Sequence, residues 1–226
     1  MWRKLLGILT LFSFLPYFSI CQNKLRENGW YHILSGQTDS ISREPIVTTK
    51  DFIALSTMRY SHWEDFAAKL DEPLGQFIKI YRPNCFDRVG LRFVNAISRE
   101  QLGLTGRRWN DLLQPPYLGI LDEDDVDEAS VAKCSVDVER KLDALAALKL
   151  HAGPGFVQRN IRSGNQVQQV QEKEVRFIFD QDVYSTGKVK VAAVAETLNA
   201  LHAHSDSVFS DAITTVLHDA MEPEYL

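Results

Sequence analysis

The feature that most limits the fold is an abrupt change of hydrophobic period between residues 61 and 97. Trp63, Phe66, Leu70, Leu74, Phe77, Ile78 and Tyr81 recur at steps of three and four, with Glu64, Asp65, Lys69 and Lys79 between them. That spacing predicts an amphipathic helix, with Ser61 as its N-cap. Pro73 falls inside the pattern and lacks a backbone donor, which predicts a kink or restart near Asp71; Pro83 closes the helix. A few residues later Val89, Leu91, Phe93 and Ile97 fall on one side of a strand, and Gly90, Arg92 and Val94 on the other. A striped helix beside a strand with one apolar face buries both surfaces by stacking in two layers. Trp63, Phe66 and Phe77 are expected to cover Val89, Leu91 and Phe93, leaving Phe93 in the core.

The remaining chain divides by the same reasoning. Trp30, His32 and Leu34 alternate with Tyr31 and Ile33 before Gly36, and a β-branched stretch runs from Pro45 through Thr49 into Phe52, Ile53 and Leu55; together they predict an antiparallel pair. Residues 102–113 are expected to be short helical or irregular structure around Trp109, stopped at Pro115-Pro116. Asp122, Glu123, Asp124, Asp125, Asp127 and Glu128 crowd one acidic stretch. Such a run repels itself and stays solvated as a loop unless a cation neutralises it. Residues 135–153 fit both a helix and a pair of strands, and propensity alone favours the helix. Gly153-Pro154-Gly155 suggests a turn, residues 158–174 a polar Gln-rich loop, and residues 175–180 a strand ended by Ser185-Thr186-Gly187. A helical region over residues 191–220 aligns Val194, Leu198, Leu201, Phe209, Ile213, Val216 and Leu217, with a break expected near Ser205.

Composition narrows the function classes. With 226 residues and 45% hydrophobic content, the chain can build a proper core. A net charge of -5 argues against a broad basic surface for nucleic acid. Cys21, Cys85 and Cys134 are far apart and form no C-x-x-C pair, so neither a disulfide framework nor a zinc site is indicated and a reducing compartment fits. Residues 5–20 form an apolar run behind Trp2, Arg3 and Lys4. Tyr17, Phe18 and Ile20 are too large for a signal cleavage region, and the run is short for a membrane span and contains Pro16. An atypical start of a soluble protein is therefore preferred to an export signal or membrane anchor, and a chain beginning at Gln22 is expected to be as stable as the whole.

Arg88-Val89-Gly90-Leu91-Arg92-Phe93-Val94-Asn95 resembles the strand motif Arg-(Ile/Val)-Gly-Leu-Arg-(Tyr/Phe)-(Ile/Val)-Asn of a family of sporadically distributed bacterial proteins of unknown function. The likeness extends to residues 49–55, to Tyr60, Trp63 and Phe66, and to Leu201-His202, Phe209, Ile213-Thr214 and Met221-Glu222-Pro223. It runs collinearly from about residue 22 to the end. The resemblance implies a cytoplasmic protein, two strands over residues 135–153 rather than a helix, and no particular activity. The family's sporadic spread implies an accessory or immunity role beside toxin, phage-defence or other mobile-element genes, with a protein partner encoded nearby.

Three groups of residues are candidates for chemistry. Arg88, Arg92 and Asn95 could bind an anion or partner through the planar guanidinium fork, or the arginines could pair with carboxylates across the sheet, which strand geometry favours. Asp180 and Asp182, two apart on one strand face, have the oxygen donors that a divalent ion takes, although solvent-facing carboxylates are the simpler reading. His202 and Asp206 share a helix face near His204, without the H-E-x-x-H pattern. The sequence has no G-x-S-x-G, no G-x-x-x-x-G-K-[ST] and no G-x-G-x-x-G after a strand. The expectation is thus an α+β protein with antiparallel sheets in two layered halves packed against amphipathic helices and a long C-terminal helix. Its parts are residues 1–21 as apolar leader, 22–121 and 131–226 as the halves, and 122–130 as an acidic loop. The expected function is non-catalytic binding; the alternative is a metal-dependent phosphoester or nucleotide hydrolase using Asp180 and Asp182, with Arg92 neutralising phosphate.

Overall fold

A computed structural model describes residues 5–12, 46–48, 52–163 and 166–221. The expected strand around Trp30 to Leu34 lies outside them. The described elements form an α+β fold whose sheets are antiparallel. Strands β1 (Leu5–Phe12), β2 (Ile46–Thr48), β3 (Phe52–Tyr60), β5 (Arg88–Ile97), β6 (Val136–Lys141), β7 (Ala146–Ser163) and β8 (Gln166–Ser185) make one seven-stranded sheet in the order β2-β3-β1-β5-β8-β7-β6. A short pair, β4 (Cys85–Phe86) and β9 (Val189–Lys190), stands apart. The N- and C-terminal halves join along the β5–β8 ladder, from Gly90 opposite Tyr184 to Ile97 opposite Phe177.

Register separates two faces of this sheet. Ile53, Leu55, Val89, Leu91, Phe93, Ile97, Leu148, Leu150, Ala152, Phe177, Phe179 and Val183 share one face, and all are buried. Helix α1 (Trp63–Tyr81) packs along β3, whereas α2 (Val194–Ala212) lies over β5 and β8. The expected layering is present, but the helix most directly above Phe93 is α2. The loop lobe between β5 and β6 covers the far end of the same face, where Trp109 packs on Phe177 and Tyr117 on Phe179, both with ring centroids 5.3 Å apart.

Several local expectations change. Helix α1 is capped at His62 rather than Ser61 and runs through Pro73 as one element; Arg82, in the left-handed region at φ 49°, donates its N–H to Ile78 O and ends it. The C-terminal helix breaks at Ile213, not near Ser205, and resumes as α3 (Thr215–Ala220). The cause is tertiary: Ile213 bridges Leu113, Gln114 N donates to Ala212 O at 2.8 Å, and Thr214 N donates to Leu112 O at 2.9 Å. Residues 135–153 form β6 and the start of β7, as the family resemblance implied and helix propensity did not.

Gly153-Pro154-Gly155 is strand, not turn. A Cβ on Gly153 would sit 2.4 Å from Cys134 O, so only glycine admits the neighbouring backbone there. Pro154 is tolerated because β6 pairs with β7 only as far as Ala152, so that among the described residues no third strand needs its missing donor. The apolar run at the start of the chain also takes a different role, since β1 pairs with β3 on one side and β5 on the other. A chain beginning at Gln22 would lack that strand. Among the described residues no helix is long and apolar enough to cross a membrane.

Candidate binding surface

Arg88 and Arg92 stand on the open face of β5, away from the helices, while Asn95 has the opposite parity and is buried beneath α2. The three therefore do not converge, which strand alternation alone could have shown. Arg88 Nη2 donates to Asp182 Oδ2 at 2.7 Å, and Arg92 donates through Nε to Asp180 Oδ1 at 2.7 Å and through Nη2 to Asp180 Oδ2. The arginine and aspartate candidates thus occupy each other. Burial pulls the Arg92 pKa down, but the hydrogen bonds and charge of Asp180, helped by Asp182, outweigh it and leave the group firmly protonated. As arranged, both Asp180 oxygens and one of Asp182 are engaged by guanidinium groups, and a divalent ion would have to displace them. Among the described residues no three His, Cys, Asp or Glu side chains are grouped to hold a metal.

The glycine of the motif has a physical reason. A Cβ on Gly90 would lie 3.1 Å from Arg88 Nη1 and 3.3 Å from its Cζ. The guanidinium lies across that bare position, and its Cζ sits 4.4 Å from the Tyr184 ring centroid. Tyr184 continues the polar network across the sheet: its hydroxyl donates to Glu139 Oε1 at 2.7 Å, and Lys149 Nζ lies 3.5 Å from the same oxygen. Burial and the Glu139 carboxylate push the Tyr184 phenol up to about 12. At the sheet edge His151 Nδ1 meets Asp137 Oδ1 at 2.8 Å. Across β5, β8, β7 and β6 the open face carries opposite charges paired with one another.

A second cluster lies between the helices. Trp63 stacks on His202 with ring centroids 4.5 Å apart and donates its indole N–H to Asn199 Oδ1 at 2.7 Å. Tyr60 Oη is 3.4 Å from His202 Nε2, and Asp206 Oδ2 is 3.6 Å from His202 Nδ1. Burial lowers the His202 pKa against the partial opposition of Asp206 and Glu64, and burial raises those of Asp206 and Tyr60. The shared helix face of His202 and Asp206 was legible in sequence; Tyr60 and Trp63 were not, being distant along the chain. His204 points elsewhere, with Nε2 2.7 Å from Asp143 Oδ2.

Two arginines of the same lobe anchor the acidic stretch. Arg108 donates to the carbonyls of Glu123 at 2.9 Å and Val126 at 3.1 Å, and Arg99 pairs with Glu128 at 2.9 Å while its Cζ stands 4.0 Å from the Trp109 ring centroid. An open cleft of about 680 Å³ lies between this loop and the Thr105–Arg108 turn. Its walls carry charges of both signs.

The feature with no counterpart among the sequence expectations is an arm. The residues expected as a Gln-rich loop continue β7 and β8 as a hairpin paired to Ser163 opposite Gln166, with an irregularity between Phe156 and Gln158. Strand β5 pairs with β8 only from Phe177 onward, and β6 leaves β7 at Ala152. Beyond those points residues 153–163 and 166–176 pair only with each other among the described residues. The ribbon spans roughly 33 Å at the usual strand rise. Its base is fixed, since Glu174 accepts from Ser98 Oγ at 2.6 and 2.8 Å and from Glu100 N at 3.0 Å, while Arg176 pairs with Glu172 at 2.5 Å. Compared with known protein families, curated proteins and solved structures, the chain matches none.

Proposed function

We propose that this chain is a non-catalytic binding or accessory protein that receives a partner along the β7–β8 arm. The observation carrying this reading is a two-stranded ribbon whose outer edges, among the described residues, pair with no third strand. Such edges present unpaired backbone donors and acceptors, which an extended segment of another protein satisfies by adding a strand. Residues 157–171 contain Arg159 and Arg162, no carboxylate and many amides, a composition that limits indiscriminate association of an apolar kind. The family resemblance of Arg88 to Asn95 and the C-terminal segment supports a bacterial setting, and a partner encoded nearby is the first to test. The free thiols Cys85 and Cys134 fit a reducing cytoplasm.

The test joins Gln158 to Gln171, which face each other in the ribbon, through an Asn-Gly turn, replacing residues 159–170. Full-length and shortened proteins are each co-expressed with the products of the adjacent genes and purified. The shortened protein is expected to keep its thermal midpoint and lose a partner that the full-length protein retains. Equal retention by both refutes the arm as the binding element, and co-purification with none of those products refutes the partner assignment.

A further inference from the structure

Three polar side chains are buried where α2 covers the sheet, Asn95 and Gln181 on the strands and Ser205 on the helix itself. Asn95 is 1% exposed, Gln181 2% and Ser205 0%. Asn95 Nδ2 and Oδ1, Gln181 Oε1 and Ser205 Oγ have no hydrogen-bond partner among the described residues. Buried amides and hydroxyls are nearly always hydrogen-bonded, so unmet groups in one core need a physical account.

Their placement supplies it. Phe93 faces Gln181 and Asn95 faces Phe179 across the β5–β8 ladder. These four residues mark a square in which the phenylalanines occupy one diagonal and the amides the other. Helix α2 crosses the phenylalanine diagonal: His202 contacts Phe93 with centroids 6.2 Å apart, and Phe209 contacts Phe179 at 5.5 Å. Ser205 lies between His202 and Phe209 along that helix and is fully buried, which puts it on the sheet-facing side of α2. Diagonal neighbours on adjacent strands are separated by roughly 7–8 Å. Across it the two amides make no direct bond, because Asn95 Nδ2, Asn95 Oδ1 and Gln181 Oε1 have no partner among the described residues, which leaves them to a bridging molecule.

The geometry points to an internal water site formed by Asn95, Gln181 and Ser205. The unmet atoms include donors and acceptors and carry no formal charge, which fits a water better than a metal ion or an anion. A single water accepts from the Asn95 amide or the Ser205 hydroxyl and donates to Gln181 Oε1, meeting the two or more polar partners that a buried water needs. It would tie α2 to the centre of the sheet at the ladder where the two halves of the chain meet. Asn95, the last residue of the strand motif, would then be a structural ligand of that water.

A high-resolution crystal structure of the full-length protein tests the site. The expected result is a density peak within about 3.2 Å of polar atoms from at least two of the three residues. Direct bonds among the side chains with no such peak would overturn the inference. Water-oxygen magnetic relaxation dispersion gives an independent measure in solution. The wild-type protein should show a long-lived water contribution, and Asn95→Leu combined with Gln181→Met and Ser205→Ala should remove it while circular dichroism remains native. If the triple variant does not fold, Ser205→Ala alone should shorten that water's residence time several-fold. An unchanged dispersion in the folded variant, or none in the wild type, would overturn the proposal.

Discussion

Replacing Phe93 by alanine tests which face of β5 is the core. Phe93 is 2% exposed and sits edge-on to Tyr60, with centroids 5.3 Å apart and planes at 78°, and to His202 at 6.2 Å. Truncation removes most of an aromatic surface that buries at least about 150 Å², worth about 3 kcal/mol at 25 cal/mol per Å². The lost edge contacts and residual cavity bring the expected cost to about 3–5 kcal/mol. For a chain of this size that corresponds to a fall of roughly 6–20 °C in thermal midpoint. Urea unfolding followed by tryptophan fluorescence is suitable, because Trp63 stacks on the same His202. Val94→Ala, one residue along on the open face, should cost less than about 1.5 kcal/mol. A Phe93→Ala cost below about 1 kcal/mol, or a larger cost at Val94, would refute the assignment of faces.

Three further outcomes follow from individual contacts. Gly153→Ala places a Cβ 2.4 Å from Cys134 O and should destabilise by about 1–3 kcal/mol in chemical denaturation, whereas Gly155→Ala meets only Ile178 Cγ1 at 3.1 Å and should cost less. Burial lowers the folded-state pKa of His202 below its ordinary 6.5, so its stabilising contribution is complete above pH 6.5 and is lost as pH falls from there through the folded value. Asp206, raised by burial, acts oppositely at lower pH, its contribution growing as pH falls through its raised folded value. Wild type should therefore lose stability more steeply than His202→Gln on acidification below pH 6.5, and a His202 NMR midpoint at or above 6.5 would contradict the burial argument. Removing residues 1–21 deletes β1 from between β3 and β5 and should lower the thermal midpoint and promote aggregation; a truncated protein as stable and monodisperse as the full chain would show that this strand is dispensable.

The sequence by itself determined the elements whose side-chain period is strong. Trp63 to Tyr81 is a helix with one apolar stripe, and Arg88 to Ile97 is a strand with one apolar face, because local periodicity fixes which residues can share a surface. The same parity is enough to place Arg88 and Arg92 on the face opposite Asn95. Tertiary structure decided the rest, where the deciding partner is remote in sequence. Ile213 ends α2 because Leu113 bridges it, and Trp63 meets His202 only once α1 and α2 have both settled on the sheet. Arg88 and Arg92 find Asp182 and Asp180 through a ladder between segments about ninety residues apart. Residues 158–174 carry too little apolar alternation to announce a strand, and their pairing comes from a hairpin propagated outward from Phe177 and Pro154. Backbone hydrogen bonds extend such a ribbon without any apolar face to mark it in the sequence.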